Sequence, residues 1–269
     1  MPLASVNGTR LYYEDSGGSG APVVFSHGLL WSCRMFDAQR DALAAAGFRV
    51  IAYDHRGQGQ SADDEARSIS IETVFEDAAA LIVQLGIGPC HFAGLSMGGF
   101  VGMRLAVRRP ELLRSLILLE TSADPEPTEN LPKYRRLNWT WRFLGPALVA
   151  KPVMQVMFGG PFLNHPERAA DRSTWEGRLR GNRRTIWRAV NGVIERVGVA
   201  GELPKIKAPT TVIVGEEDRA TVPAKAEKIH AGIPGSVLVR IPRAGHTSSV
   251  EEPALVCAAI LEHLRRVGA

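Results

Sequence analysis

The sequence is short of cysteine, of long apolar runs and of excess charge, and each shortage closes off a class of function. Its three cysteines, Cys33, Cys90 and Cys257, are odd in number and widely spaced in a chain of 269 residues. They form neither a disulfide framework nor the paired spacing of a metal site, so reduced thiols in a cytoplasmic protein are expected. Packing is the expected role of Cys33, although it follows a loop of functional interest. No apolar stretch approaches the roughly 18 residues that suggest a membrane span. The opening residues carry neither the basic nor the apolar segment of a secretory signal. The formal net charge is only +4, and there is no basic stripe or nucleic-acid motif, so neither nucleic acid nor a membrane is an expected partner. Internal repeats and low-complexity tracts are also missing. The remainder, 45% hydrophobic and 22% charged, is an ordinary globular composition, long enough for one large α/β domain with an insertion.

Apolar strands alternate with amphipathic helices over the first 122 residues. Strands are expected at 10–14 (after the hairpin-turn signal Asn7-Gly8), 22–26, 48–53, 90–95 and 113–119. Helices are expected at 35–46, 71–85 and 100–109. The rhythm breaks at 123–201, which holds four of the five tryptophans (Trp139, Trp141, Trp175, Trp187) and many prolines. This stretch reads as a helical insertion. The alternation resumes with strands at 210–215 and 236–241 and helices at 222–231 and 252–267. Short connections and buried-type strands argue for a doubly wound, mostly parallel sheet. The core is then 1–122 with 202–269.

In such a sheet, ligands bind at the carboxyl ends of the strands. Those ends carry His27-Gly28-Leu29, then Ser96, then Asp218 after Gly215-Glu216-Glu217, and finally Gly245-His246. Ser96 lies in Gly94-Leu95-Ser96-Met97-Gly98-Gly99, between a strand and a helix. This is the pattern of a nucleophile elbow, in which small residues two positions either side of the serine let two backbones pass. A serine, an acid and a histidine thus fall in that order on the one edge where chemistry is expected.

Over essentially its full length the chain resembles the α/β-hydrolase family. The resemblance rests on His27-Gly28, on Asp54-x-Arg56-Gly57-x-Gly59-x-Ser61, on the elbow, on Asp218 and on Gly245-His246. It is similar in particular to small cofactor-independent esterases and lactonases, including those of the 3-oxoadipate enol-lactonase type, and to haloperoxidase or perhydrolase-like enzymes. The resemblance implies a mostly parallel eight-stranded sheet with a helical cap after the sixth strand, and no metal or organic cofactor. Ser96 would be the nucleophile, His246 its base and later the acid, and Asp218 the group that orients the histidine. The backbone amides of Leu29 and Met97 would form the oxyanion hole. Glu216 and Glu217 compete with Asp218, and Glu120, at the end of the sixth strand, is an alternative acid. His27 is expected to shape its loop and His91 to be a hydrogen-bonded core residue. His55 and His165 fall in loops, His230 and His263 on surface helices, and Asp54 and Arg56 are expected to pair with one another. A serine at the elbow excludes the dehalogenases and epoxide hydrolases of this fold, which use a carboxylate there.

The insertion would form the substrate pocket, with Trp31, Phe100, Trp139, Met154, Met157, Phe158 and Trp187 as candidate lining, and Trp141 beside them. Arg168, Arg172, Arg178, Arg180, Arg183, Arg184 and Arg188 form an arginine-rich stretch. It is a solvated face in the plainer reading, or supplies one arginine for a substrate carboxylate in the sharper one. The expected reaction is hydrolysis of a small-molecule ester or lactone through an acyl-enzyme, and the chain is compatible with a homodimer. The same triad also suits cleavage of a carbon–carbon bond, perhydrolysis, or a ligand sensor with negligible turnover.

Overall fold

The structure, a computed structural model, describes residues 2–66 and 68–269. The chain opens with a hairpin, β1 (Leu3–Val6) and β2 (Thr9–Asp15). Its turn places Asn7 and Gly8 at φ 45° and 72°, the left-handed region that these two residue types tolerate best. There follow β3 (Pro22–Ser26), α1 (Asp37–Ala45), β4 (Arg49–Tyr53), α2 (Ile71–Gln84), β5 (Cys90–Leu95), α3 (Met97–Arg108) and β6 (Leu113–Leu119). After a helical stretch come β7 (Thr210–Gly215) and β8 (Val237–Ile241).

The eight strands form one sheet in the order β1-β2-β4-β3-β5-β6-β7-β8. The pairs β1-β2 and β2-β4 are antiparallel, so that among the described strands only β2 runs against the rest; the pairs from β4 to β8 are parallel. Every residue of β5 and of β7 is buried, which explains their continuous apolar sequences: both faces are covered by helices. On one face α2 and α3 pack together, with Phe92 and Leu116 beneath Gly102 of α3. The N-terminus of α2 is capped by Ser70, whose hydroxyl accepts from the Thr73 amide at 3.0 Å, satisfying one of the helix's unpaired donors.

On the other face α1 packs against the C-terminal helix of the chain, Pro253–Arg266. That helix buries Val256, Ile260, His263 and Leu264, so His263 is a core residue and not the surface residue expected. The reason is a polar relay across three strands. His91 Nδ1 meets Ser115 Oγ at 2.7 Å, Ser115 Oγ meets His263 Nε2 at 2.7 Å, and His263 Nδ1 meets Thr211 Oγ1 at 2.8 Å. Burial holds the imidazoles of His91 and His263 at about 4 and about 3, well below their ordinary range.

Between β6 and β7 lie α4 (Leu131–Leu144), α5 (Ala150–Met157), α6 (Gly160–Asn164), α7 (Ala169–Arg180) and α8 (Trp187–Ile194), joined by short 3-10 turns. Among the described residues no strand forms here, and α4 packs on α8. Beyond β7 the helices are α9 (Pro223–Gly232), α10 (Ser248–Glu251) and α11, the Pro253–Arg266 helix. Among the described residues, no helix is long and apolar enough to cross a membrane.

One expected ion pair is replaced by others. Arg56 turns away from Asp54 and grips Asp77 of α2 with two bonds of 2.8 and 2.6 Å, together with Asp64. Asp54 instead accepts from the amides of Cys33 and Gln60, each at 2.7 Å. A buried carboxylate is satisfied as well by backbone N–H groups as by a cation. The two residues therefore fasten different loops.

Candidate active site

Ser96 links β5 to α3 at φ 52° and ψ −109°, a conformation that costs a non-glycine residue free energy and persists only where neighbours over-determine it. Three hydrogen bonds do so. The Ser96 amide donates to the Leu119 carbonyl at 2.9 Å, and the Ser96 carbonyl accepts from the Phe100 amide at 3.0 Å and the Thr121 hydroxyl at 2.8 Å. The flanking glycines act sterically: a Cβ on Gly94 would fall on the carbonyl of Gly98, and one on Gly98 would fall on that of Ser26. Met97 begins α3, so its N–H lies among the first four of the helix, which have no intrahelical acceptor.

The loop after β3 comes up beside the serine, close enough that a Cβ on Gly28 would stand 3.5 Å from the Ser96 Cβ. Gln58, buried and unremarked in the sequence, ties that loop to the elbow. Its Oε1 accepts from the Leu30 amide at 3.0 Å, and its Nε2 approaches the Met97 sulfur at 3.7 Å. His27 is fully buried and accepts from the His55 amide at 2.9 Å through Nε2. Its Nδ1 therefore carries the proton and donates to the Gly28 carbonyl at 2.7 Å. Burial lowers its pKa, and its bonds shape the loop.

Asp218 and His246 are 3% and 2% exposed and are joined through Oδ2 and Nδ1 at 2.9 Å. The same carboxylate accepts from the Ala220 and Thr221 amides at 2.8 and 2.9 Å and from the Thr221 hydroxyl at 2.8 Å. With Nδ1–H directed at the carboxylate, Nε2 is the ring nitrogen left to accept a proton. Glu251 of α10 holds the histidine's loop, its carboxylate accepting from the amides of Gly245 (3.0 Å), Thr247 (3.1 Å) and Gly159 (2.7 Å). Burial nevertheless raises its pKa to about 7. Glu120, the alternative acid, lies fully buried at φ 41°, and its Oε1 accepts from the Gly215 amide at 3.2 Å. Burial pushes its pKa well above the carboxylate range, whereas the partner of His246 is Asp218.

Ser96 and His246 open onto one cavity of about 150 Å³ beneath α4, α5 and α8. Leu29, Phe100, Thr221 and Arg196 also reach it, as do Trp141 and Met157 and a set of small aliphatic residues, among them Val149, Val153, Val156, Val190 and Val193.

A model of the alpha/beta hydrolase fold matches residues 21–253. The chain belongs to the α/β-hydrolase family. An esterase from Thermogutta terrifontis, solved with malate bound, is 32% identical and superposes with a TM-score of 0.91 over 100% of both chains. The enol-lactonase of Burkholderia xenovorans LB400 is 27% identical, with a TM-score of 0.89 over 98% of this chain and 100% of its own. BpoC of Mycobacterium tuberculosis, provisionally named a non-heme bromoperoxidase, is 30% identical over 97% of this chain and 99% of its own.

Within this hydrolase fold the cavity takes in only some of the residues expected to line a pocket. Phe100 and Met157 line the cavity, as does Trp141. Phe158 instead stacks on Phe162 at 4.2 Å and packs with Trp31 and Trp175. Trp31 borders a separate depression with Arg34, Arg178 and Arg183. Met154 is buried without lining the cavity, and Trp139 is 56% exposed beside Phe143. Trp187 lies under the guanidinium of Arg142 at 4.0 Å. Phe158, Phe162 and Trp175 fill the interior of the helical segment, because a void beside them would forfeit most contact energy.

The arginine stretch is likewise occupied elsewhere. Arg168 donates to the carbonyls of Val250 and Glu251, Arg172 to those of Phe162 and His165, and Arg183 to those of Ser61 and Gly59. Arg178 lies over Trp175, Arg180 pairs with Glu176, and Arg188 bonds the Asp64 carbonyl. None of the seven lines the cavity. The arginine that does is Arg196, outside the stretch singled out from the sequence.

Proposed function

We propose that this chain is a serine hydrolase that cleaves small carboxylic esters or lactones through an acyl-enzyme, with the helices between β6 and β7 serving as the cap over its substrate. The observation that carries this reading is the junction of one strained serine and one aspartate-bound histidine on a single cavity. His246 Nε2 takes the proton of the Ser96 hydroxyl as its oxygen attacks the acyl carbon, and Asp218 stabilises the imidazolium that results. The amides of Leu29 and Met97 receive the oxyanion, one such donor being worth about 10²–10³ in rate. The intermediate collapses as His246 returns the proton to the departing alkoxide. Water, activated by the same imidazole, then releases the acid and restores Ser96. No step calls on a metal or organic cofactor.

The esterase and lactonase relatives support ester chemistry, and the apolar cavity suits a small acyl group. BpoC favours a second use of the same acyl-enzyme, in which peroxide replaces water and the product is a peracid. A fluorophosphonate probe tests the shared first step. It should label the wild-type protein and leave Ser96→Ala unlabelled; equal labelling of both would refute the assignment of the nucleophile. Product analysis with p-nitrophenyl acetate, with and without peroxide, separates the two acceptors.

A further inference from the structure

Two charged side chains, paired with each other, form part of the wall of the apolar cavity. Among the described residues, Arg196 is the only lysine or arginine lining it, and Glu126 the only carboxylate. Arg196 Nη1 donates to Glu126 Oε2 at 2.8 Å and to the Val193 carbonyl at 2.9 Å, while Nε donates to the Asp124 carbonyl at 3.1 Å. The guanidinium lies 4.5 Å from the ring of Phe100. The other Glu126 oxygen accepts from Asn130 Nδ2 at 2.9 Å. Their side chains are only 4% and 11% exposed. The pair is thus a fixed part of the cavity wall.

We infer that this pair makes the site selective for uncharged substrates, with Glu126 as the residue that withholds the guanidinium from a substrate carboxylate. The inference rests on the hydrolase reading above and adds the charge class of the substrate. An isolated arginine in an apolar cavity would recruit an anion, since a buried charge needs a counter-charge. Here the counter-charge is built in. A substrate carboxylate would leave the cavity with a surplus negative charge, stripped of water and facing Glu126. A neutral ester or lactone meets no such penalty, and Arg196 Nη2, which bonds no acceptor among the described residues, can donate to an uncharged oxygen.

The consequence is reversible by one substitution. Glu126→Gln keeps the shape and leaves Arg196 with a surplus positive charge, which a carboxylate would satisfy. Three esters with the same acyl length separate charge from size: ethyl pentanoate, diethyl glutarate and monoethyl glutarate, with proton release followed at constant pH. The wild-type protein should cleave the two neutral esters at comparable kcat/KM and the monoanion about 100-fold less well. In Glu126→Gln the disadvantage of the monoanion should shrink by at least about tenfold. In the double variant Glu126→Gln with Arg196→Gln that gain should vanish, because no surplus cation is left.

Wild-type cleavage of the monoanion within about threefold of the diester would overturn the inference. So would an unchanged ratio in a folded Glu126→Gln. If that variant does not fold, the wild-type comparison of monoester and diester decides alone. Failure to cleave any of the three esters would refute the hydrolase reading itself, whereas equal cleavage of all three refutes only the charge selectivity.

Discussion

Asp218 illustrates how one residue becomes committed to one task. Its carboxylate accepts from two backbone amides and from the Thr221 hydroxyl before it meets His246. Both the position of its oxygens and the direction of the Nδ1 proton are thereby fixed. Glu120, on the neighbouring strand end, has the opposite surroundings: one backbone amide, and full burial that pushes its pKa upward. The two acids are therefore separable by amide substitution. Asp218→Asn should lower kcat by about 10³–10⁴-fold, because the amide no longer selects the correct tautomer. Glu120→Gln, which keeps the shape of a side chain that does not bond His246, should stay within about threefold of wild type. Steady-state ester hydrolysis measures both, and the reverse ranking would transfer the acid role to Glu120.

At the scale of elements, the sheet was the most legible part of the chain. A strand buried on both faces must be apolar throughout, so Cys90–Leu95 and Thr210–Gly215 declared themselves. The elbow was legible for a steric reason, since Gly94 and Gly98 have no room for a side chain. The cavity wall was not. A periodic pattern marks which face of a helix is buried, without saying whether that face meets another side chain or a hole. Large aromatics such as Phe158 and Trp31 attracted attention, while the hole is bordered by valines too small to fill it. Glu126 and Arg196 meet across 70 residues of sequence, and no local signal links them. His263 had a signal that went unused: with Val256, Ile260 and Leu264 it completes one stripe of α11. Its burial has a measurable sign. An imidazole with a folded pKa of about 3 or 4 binds fewer protons than one in the unfolded chain near 6.5. Its contribution is thus complete above pH 6.5 and is lost as pH falls toward 4. Glu251, with a pKa raised to about 7, acts in the opposite sense between 4.5 and 7. The diagnostic is therefore a difference in Tm: the advantage of wild type over His263→Gln should narrow steadily from pH 7.5 to pH 4.5. A constant gap would show that the relay does not titrate in this way.

For the molecule as a whole, the helices between β6 and β7 are fastened to the core through the loops that carry Leu29 and His246. Asn182 Nδ2 donates to the Leu30 carbonyl at 2.8 Å, one residue from the Leu29 amide. Arg168 bonds the Val250 and Glu251 carbonyls, and Glu251 in turn grips the amides on either side of His246. Removing the first tie tests how far the oxyanion loop relies on it. Asn182→Ala should lower kcat by about three- to tenfold, the worth of roughly one hydrogen bond, with little change in Tm. Loss of stability without loss of kcat would show that the bond serves only packing. These fastenings bear on turnover as a cycle. A shift of those helices to admit substrate or release product would draw on Leu30 and on the histidine's loop together. Under the proposed mechanism such a shift would displace an oxyanion donor and the base at once, and its reversal would restore both.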